Sequence, residues 1–238
     1  MSFILITGAN RGIGLHLCRH YLSQGQNIIA LARSHSSALE ALQTHYQTDQ
    51  QPDQSGQFKV YQCDLNQEES IQQVAESIKL QGIELELVIH NAGVSINESF
   101  GNWTQKAFID NYRVNAVAPA LLTQALFSQF AHKAKIILFS SGVASLSEAK
   151  DVRKSALDSY AMSKVALNML AVKLSNACDG VNAICCAINP GWVRTDMGGQ
   201  DATQSPEETV ISLTQTIANL SEEKNASFLS LAGEPISW

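Results

Sequence analysis

The stretch Thr7-Gly8-Ala9-Asn10-Arg11-Gly12-Ile13-Gly14 constrains the fold of this chain more than any other. It follows the apolar run Phe3 to Ile6 and opens the amphipathic run Leu15 to Leu22. That order reads as a strand, a tight glycine turn and a helix start. A helix N-terminus offers unpaired N–H groups and the positive end of the macrodipole, which suits a phosphate. Gly8 permits the turn, Gly12 lets a pyrophosphate approach the backbone, and Gly14 lets the helix pack close to the strand. By itself the stretch also fits a strand-to-helix turn in any α/β protein.

Alternation of strands and helices continues along the chain. Strands are expected near 2–7, 27–32, 58–63, 85–90, 134–140, 181–188 and 227–231, with helices over 13–24, 36–46, 67–80, 104–130, 159–177 and 206–220. Continuously apolar strands such as Leu85 to Ile89 and Ala134 to Phe139 imply burial on both faces. The expectation is a single-domain Rossmann-type α/β fold over 1–238, a doubly wound sheet of seven parallel strands with helices on both faces. The polar stretch Thr48 to Gln57 resembles a linker by composition, but either flank alone would be too small a half-sheet.

Of the 238 residues, 45% are hydrophobic and 16% charged, enough apolar material for a large core. The net charge of −6, with no basic cluster, argues against nucleic acid or an anionic membrane surface as the main partner. No apolar run approaches membrane-spanning length, and the first strand leaves no room for a signal peptide. The five cysteines are odd in number and scattered, with no CxxC spacing. They point to the reducing cytoplasm rather than to disulfides or zinc. Cys185 and Cys186 lie in an apolar run and read as packing residues. His16 and His20 share a helix face, but no third ligand accompanies them, so no metal site is expected.

Motifs stand at the ends of the expected strands. After the second comes Arg33. An acidic residue there would bond the ribose hydroxyl of NAD, whereas a basic one pairs with the 2′-phosphate of NADP. No carboxylate is near it in sequence, and Arg11 can add a second positive charge. The pair favours NADP(H) over NAD(H); the alternative is two solvated surface arginines. Asp64 and Leu65 close the third strand, where a carboxylate can accept from an adenine amino group. The alternative is helix entry, since Asn66 and Glu69 have capping-box spacing. After His90, the small run Asn91-Ala92-Gly93 lets backbone approach a cofactor, or is an ordinary strand exit. Asn115 lies inside an expected helix, where a buried amide must be satisfied. It either bonds neighbouring backbone, or bends the helix and holds a water at an active site. The run Asn189 to Asp196 ends the sixth strand. There Pro190 and Gly191 turn the backbone, and Val193 and Thr195 could serve a nicotinamide carboxamide and a pyrophosphate; the alternative is a turn with no ligand.

Ser141 ends the fifth strand, and Tyr160-Ala161-Met162-Ser163-Lys164 follows. Tyr160 and Lys164, at i and i+4, share one helix face. A phenol is a poor acid–base catalyst at neutral pH, and a nearby ammonium is expected to lower its pKa. Ser141 can hold a substrate oxygen while Tyr160 exchanges the proton and a nicotinamide the hydride. A Ser163–Lys164 hydrolase pair is disfavoured, because adjacent helix positions point about 100° apart.

Taken together, TGANRGIG at 7–14, CDL at 63–65, NAG at 91–93, Asn115, Ser141, YAMSK at 160–164 and NPGWVRT at 189–195 resemble the short-chain dehydrogenase/reductase family. Within it, LITGANRGIGL, GWVRTDMGG, SPEETV and the ending Pro-Ile-Ser-Trp are most similar to the C-signal (C-factor) and sniffer-type carbonyl reductase branch. The resemblance implies a tetrad of Asn115, Ser141, Tyr160 and Lys164, with Lys164 touching the nicotinamide ribose and relaying protons with Asn115. It implies a small carbonyl or alcohol substrate, and a homodimer or homotetramer through the helices 104–130 and 159–177. There are departures. His90 replaces the usual Asn, which bears on how the strand end is braced. The Ser141–Tyr160 interval is longer than common, with the polar stretch Ser145 to Ser159 expected to border the substrate pocket. The segment after Thr195 is short, which suggests an open pocket. The rival reading is a nucleotide-binding signalling or regulatory protein of the same fold with little or no turnover.

Overall fold

A computed structural model describes residues 1–48, 56–149 and 157–238. The middle of the Thr48–Gln57 stretch and part of Ser145–Ser159 therefore lie outside the described residues. Seven parallel strands form one sheet in the order β3-β2-β1-β4-β5-β6-β7. They are β1 (Ser2–Thr7), β2 (Ile28–Ala32), β3 (Phe58–Gln62), β4 (Glu84–His90), β5 (Phe130–Phe139), β6 (Ile184–Ile188) and β7 (Phe228–Leu229). The helices are α1 (Gly12–Ser23), α2 (Ser37–Thr48), α3 (Glu68–Leu80), α4 (Gln105–Tyr112), α5 (Ala118–Leu126), α6 (Asp158–Ala177) and α7 (Pro206–Ala218).

The strands read as apolar because both their faces are covered. In β1, Phe3 and Leu5 join a core that takes in residues of α3, α5 and α6. Their neighbours Ile4 and Ile6 join a second core with residues of α1 and α7. Alternate residues thus bury on opposite sides of the sheet, and no polar face remains. All five cysteines are buried free thiols, Cys185 and Cys186 on opposite faces of β6. The strand order reverses between β1 and β4, so the loops at their carboxyl ends part there and leave a crevice. Among the described residues no helix is long and apolar enough to cross a membrane.

The expected helix 104–130 is the main correction. Thr104 caps α4 by accepting from the Ala107 amide. A π-helical segment, Arg113–Val117, follows, then α5 and a 3-10 turn, Phe127–Gln129. Pro119 accounts for the break, because it has no N–H to give the Asn115 carbonyl one turn back. The strand then begins earlier than 134. Phe130 pairs with Leu85, and an irregularity separates that pair from Leu87 opposite Lys135. Nor do Asn66 and Glu69 cap α3. Its N-cap is Gln67, without a side-chain cap bond.

Candidate active site

The glycine turn is built as its residue types require. Gly8 and Gly12 adopt φ of +67° and +52°, in the left-handed region that side chains rarely adopt. A Cβ on Gly14 would lie 2.4 Å from the Gly8 carbonyl oxygen and 2.5 Å from Asn91 Nδ2, so only glycine fits. Asn91 spans the switch point, since its Nδ2 donates to the Thr7 carbonyl at 2.7 Å and the Gly8 carbonyl at 3.2 Å. The Ala92 amide donates to Thr7 Oγ1 at 3.0 Å. The exits of β1 and β4 are therefore tied together by side chains, and the Asn91 amide is committed to that tie.

At this edge a cleft of about 340 Å³ opens. Gly8, Asn10, Arg11, Gly12, Ile13, Arg33, Asp64, Leu65, Asn91, Ala92, Gly93, Pro190 and Thr195 line it, as do Tyr160 and Lys164. Gly14, Gly191 and Val193 are not among the lining residues. Gly14 packs beneath the turn. At Gly191 a Cβ would meet Gln204 Oε1 at 2.0 Å, and Val193 is buried and bridges to Gln204. The β6 exit is thus folded against its own loop at these two positions, while Pro190 and Thr195 face the cleft. Arg11 pairs with Asp196 at 2.8 Å on the surface, which joins the glycine turn to that loop. Asp64 serves locally as well as lining the cleft. Its Oδ1 accepts from the Asn66 amide at 3.0 Å and from Asn66 Nδ2 at 3.1 Å.

The cleft fits a dinucleotide on two observations. The N-terminus of α1 opens onto the cleft at Gly12 and Ile13, where backbone N–H groups suit a phosphate, and the arginines Arg11 and Arg33 both line the same cleft. His16 and His20 belong elsewhere. His16 Nδ1 lies 3.4 Å from Glu207, and His20 Nε2 lies 3.0 Å from Gln24 Nε2 and 3.2 Å from Thr214 Oγ1.

α6 carries the remaining polar groups. Lys164 is buried, donates to the Phe139 carbonyl at 2.7 Å and places Nζ 5.7 Å from the centre of the Tyr160 ring. Burial pushes its ammonium down to about 8. The Ser141 hydroxyl stands beside the Tyr160 phenol and favours its charged form. The expected lowering of its pKa does not occur in this arrangement. Burial raises the phenol, and the neighbouring Ser141 hydroxyl only opposes that shift. Ser141 enters the site through this proximity to Tyr160 and is not among the residues that line the cleft. Its neighbour Ser140 lines the cleft and donates to Asn168 Oδ1 at 2.6 Å.

Asn115 lies in the π segment with both hydrogens of its amide nitrogen bonded to protein. Its Oδ1 accepts from the Val94 amide at 2.9 Å, and its Nδ2 donates to the Val94 carbonyl and to Ser163 Oγ, each at 2.9 Å. The side chain thus bonds the backbone of Val94 on the β4 exit, and it does so from a π segment that interrupts the helix. Asn111, one turn earlier and missed in the sequence, repeats the pattern. It bonds both the amide and the carbonyl of Ile96 and donates to Ser159 Oγ at 2.8 Å. An Asn pair at i and i+4, opposite a Ser pair at i and i+4, was the available signal. His90 is braced through Thr123, 2.9 Å from its Nε2, and burial pushes its pKa down to about 3, so it stays neutral. Ser34, Val94, Val114, Phe139, Ser140 and Met197 also line the cleft without having been singled out, as do Asn66 and Asp196, which the sequence offered only as a helix entry and the end of a turn.

A family model described as short chain dehydrogenase matches residues 2–206. The C-signal of Myxococcus xanthus is 30% identical over 162 residues, covering 65% of this chain and 93% of that protein. Among solved structures, an NADPH-bound carbonyl reductase from chicken fatty liver superposes with a TM-score of 0.89 at 30% identity, covering 100% of this chain and 99% of that one. The carbonyl reductase Sniffer of D. melanogaster superposes with a TM-score of 0.87 at 26% identity, covering 100% of both chains.

Proposed function

The chain belongs to the short-chain dehydrogenase family, and from that premise we propose that it is an NADP(H)-dependent oxidoreductase interconverting a small carbonyl and its alcohol. The observation that carries the reading is the meeting of Tyr160 and Lys164 on the wall of a cleft that also takes in the glycine turn. The whole of 1–238 acts as one dinucleotide-binding and catalytic domain. NADP(H), when bound, supplies or accepts the hydride.

The chain's own residues handle the proton and the oxygen. The Tyr160 phenol carries its proton at neutral pH and can give it to a carbonyl oxygen, although burial makes it a weaker acid until a neighbouring positive charge favours the phenolate. Ser141, beside that phenol, holds the same oxygen. Lys164, charged below about 8, sits against the Tyr160 ring and offsets the negative charge left on the phenolate. Asn115 fixes Val94 on the β4 exit and Ser163 on α6, which keeps the walls of the cleft in register. Arg33, with Arg11, favours the 2′-phosphate of NADP(H). The NADPH bound to the chicken carbonyl reductase supports this choice. Exposed Ile109, Tyr112, Met162 and Met169 on α4 and α6 suit a homodimer or homotetramer.

Tyr160→Phe tests the mechanism. Turnover of a carbonyl panel should fall by at least about 100-fold while NADPH binding, read by fluorescence titration, stays near wild type. Equal turnover by the Phe variant refutes it. Tight NADPH binding with no turnover by the wild-type protein on any carbonyl would favour the regulatory reading.

A further inference from the structure

Ser141 leads into a single 3-10 turn, Gly142–Ala144, and then into Ser145. Such a turn has poor hydrogen-bond geometry and little rigidity of its own. Here it is fastened from outside. Ser145 is wholly buried, and its hydroxyl donates to the Ser237 carbonyl at 2.7 Å. The Ser147 amide donates to the Trp238 carbonyl at 3.1 Å. Both anchors just beyond Ser141 thus fall on one short segment remote in sequence.

That segment is held in turn. The Ile236 amide donates to the Phe228 carbonyl at 2.8 Å, and Pro235 bridges to Leu229. The Trp238 ring stacks on Phe228, with centroids 5.7 Å apart and planes at 25°. Phe228 is a buried core residue of β7, which pairs with β6. A continuous path of packing and hydrogen bonds therefore runs from the sheet core through Trp238 to the turn that carries Ser141.

We propose that Trp238 is a positioning residue for the reaction: its stack on Phe228 fixes the carbonyls of Ser237 and Trp238, and these set the angle at which the Ser141 turn meets Tyr160. This rests on the reading that Ser141 holds the substrate oxygen. The stack serves geometry more than burial, since Trp238 remains 42% exposed. Misplacing a substrate-orienting group by a fraction of an ångström is enough to slow a reaction several-fold or more.

The test compares wild type with Trp238→Ala, Trp238→Phe and Ser145→Ala. Hydrogen exchange is read over 140–147 and over the glycine turn 8–14, together with NADPH affinity, kcat, KM and thermal midpoint. In Trp238→Ala, exchange over 140–147 should rise about tenfold and kcat should fall about tenfold. Exchange over 8–14 and NADPH affinity should stay within about twofold. Trp238→Phe, which keeps a stacking ring, should restore both. Ser145→Ala removes one hydroxyl with the stack intact, and should loosen 140–147 even if Trp238→Ala fails to fold. Unchanged exchange over 140–147 in Trp238→Ala and Ser145→Ala overturns the proposal, as does a loss of kcat that Phe does not rescue. Should wild type reduce no carbonyl, the functional reading falls, and exchange over 140–147 still decides this one.

Discussion

Replacing Lys164 by Met should stabilise the cofactor-free protein at neutral pH while removing activity. Lys164 is fully enclosed, and burial alone pushes its ammonium from 10.5 to about 8. A base whose folded pKa lies below its unfolded one binds fewer protons when folded, so stability rises with pH between the two values. The shift corresponds to about 3 kcal/mol of stability missing at pH 7. Roughly 2 kcal/mol of that should return between about pH 7 and pH 9.5. The lost bond to the Phe139 carbonyl offsets part of the gain by about 1 kcal/mol, with no dependence on pH. Urea unfolding of both proteins across this window reads the difference directly, and subtraction cancels groups common to both. Wild type should gain on Lys164→Met as pH rises. A flat or falling difference would show that Lys164 is not held against its charge by burial, and the account of Tyr160 and Lys164 would go with it.

Gly14→Ala places a methyl group on the Gly8 carbonyl and on Asn91, so it should cost about 1–3 kcal/mol in urea unfolding and weaken NADPH binding. Wild-type stability would refute the close-packing role. Arg33→Ala should weaken NADPH about tenfold or more and leave NADH within about twofold, measured by fluorescence titration; equal losses for both would reject Arg33 as the 2′-phosphate partner. Light scattering should find a homodimer or homotetramer that Met162→Glu, on the exposed face of α6, converts to monomer. A wild-type monomer at micromolar concentration would remove the expected assembly.

What could be read from the sequence was what is local. A parallel sheet buried on both faces writes continuous apolar runs, so every strand was anticipated. Glycine turns likewise declare themselves, because Gly8, Gly12 and Gly14 meet backbone or neighbouring loops where a side chain would strain or clash. The helix 104–130 failed on a local signal that was present, Pro119 one turn after Asn115. Other misses were not local at all. Ser140 bonds Asn168 and Ser145 bonds Ser237, contacts between segments that only the fold brings together. The pKa of Tyr160 belongs here too. The Tyr–Lys spacing could be seen in the sequence, but the depth of burial that sets the direction of the shift could not.

α6 explains why so much polar chemistry can be buried at one edge of an apolar sheet. An unpaired buried amide or hydroxyl costs about 1–3 kcal/mol, so polar groups gathered in a core must satisfy one another. Along α6, Ser159 accepts from Asn111, Ser163 accepts from Asn115, Lys164 donates to the Phe139 carbonyl, and Asn168 accepts from Ser140, while the Asn168 Nδ2 stays buried without a partner. The first two bonds reach the α4 and π segments that grip the β4 exit, and the last two grip the β5 exit. Two loops of the cleft are therefore referred to a single rigid element, the one that carries Tyr160. Apart from the Asn168 Nδ2, the bonds that satisfy these buried polar groups are the same ones that align the site. Any substitution removing one of them should cost stability and alignment together, whereas Lys164→Met should separate the two.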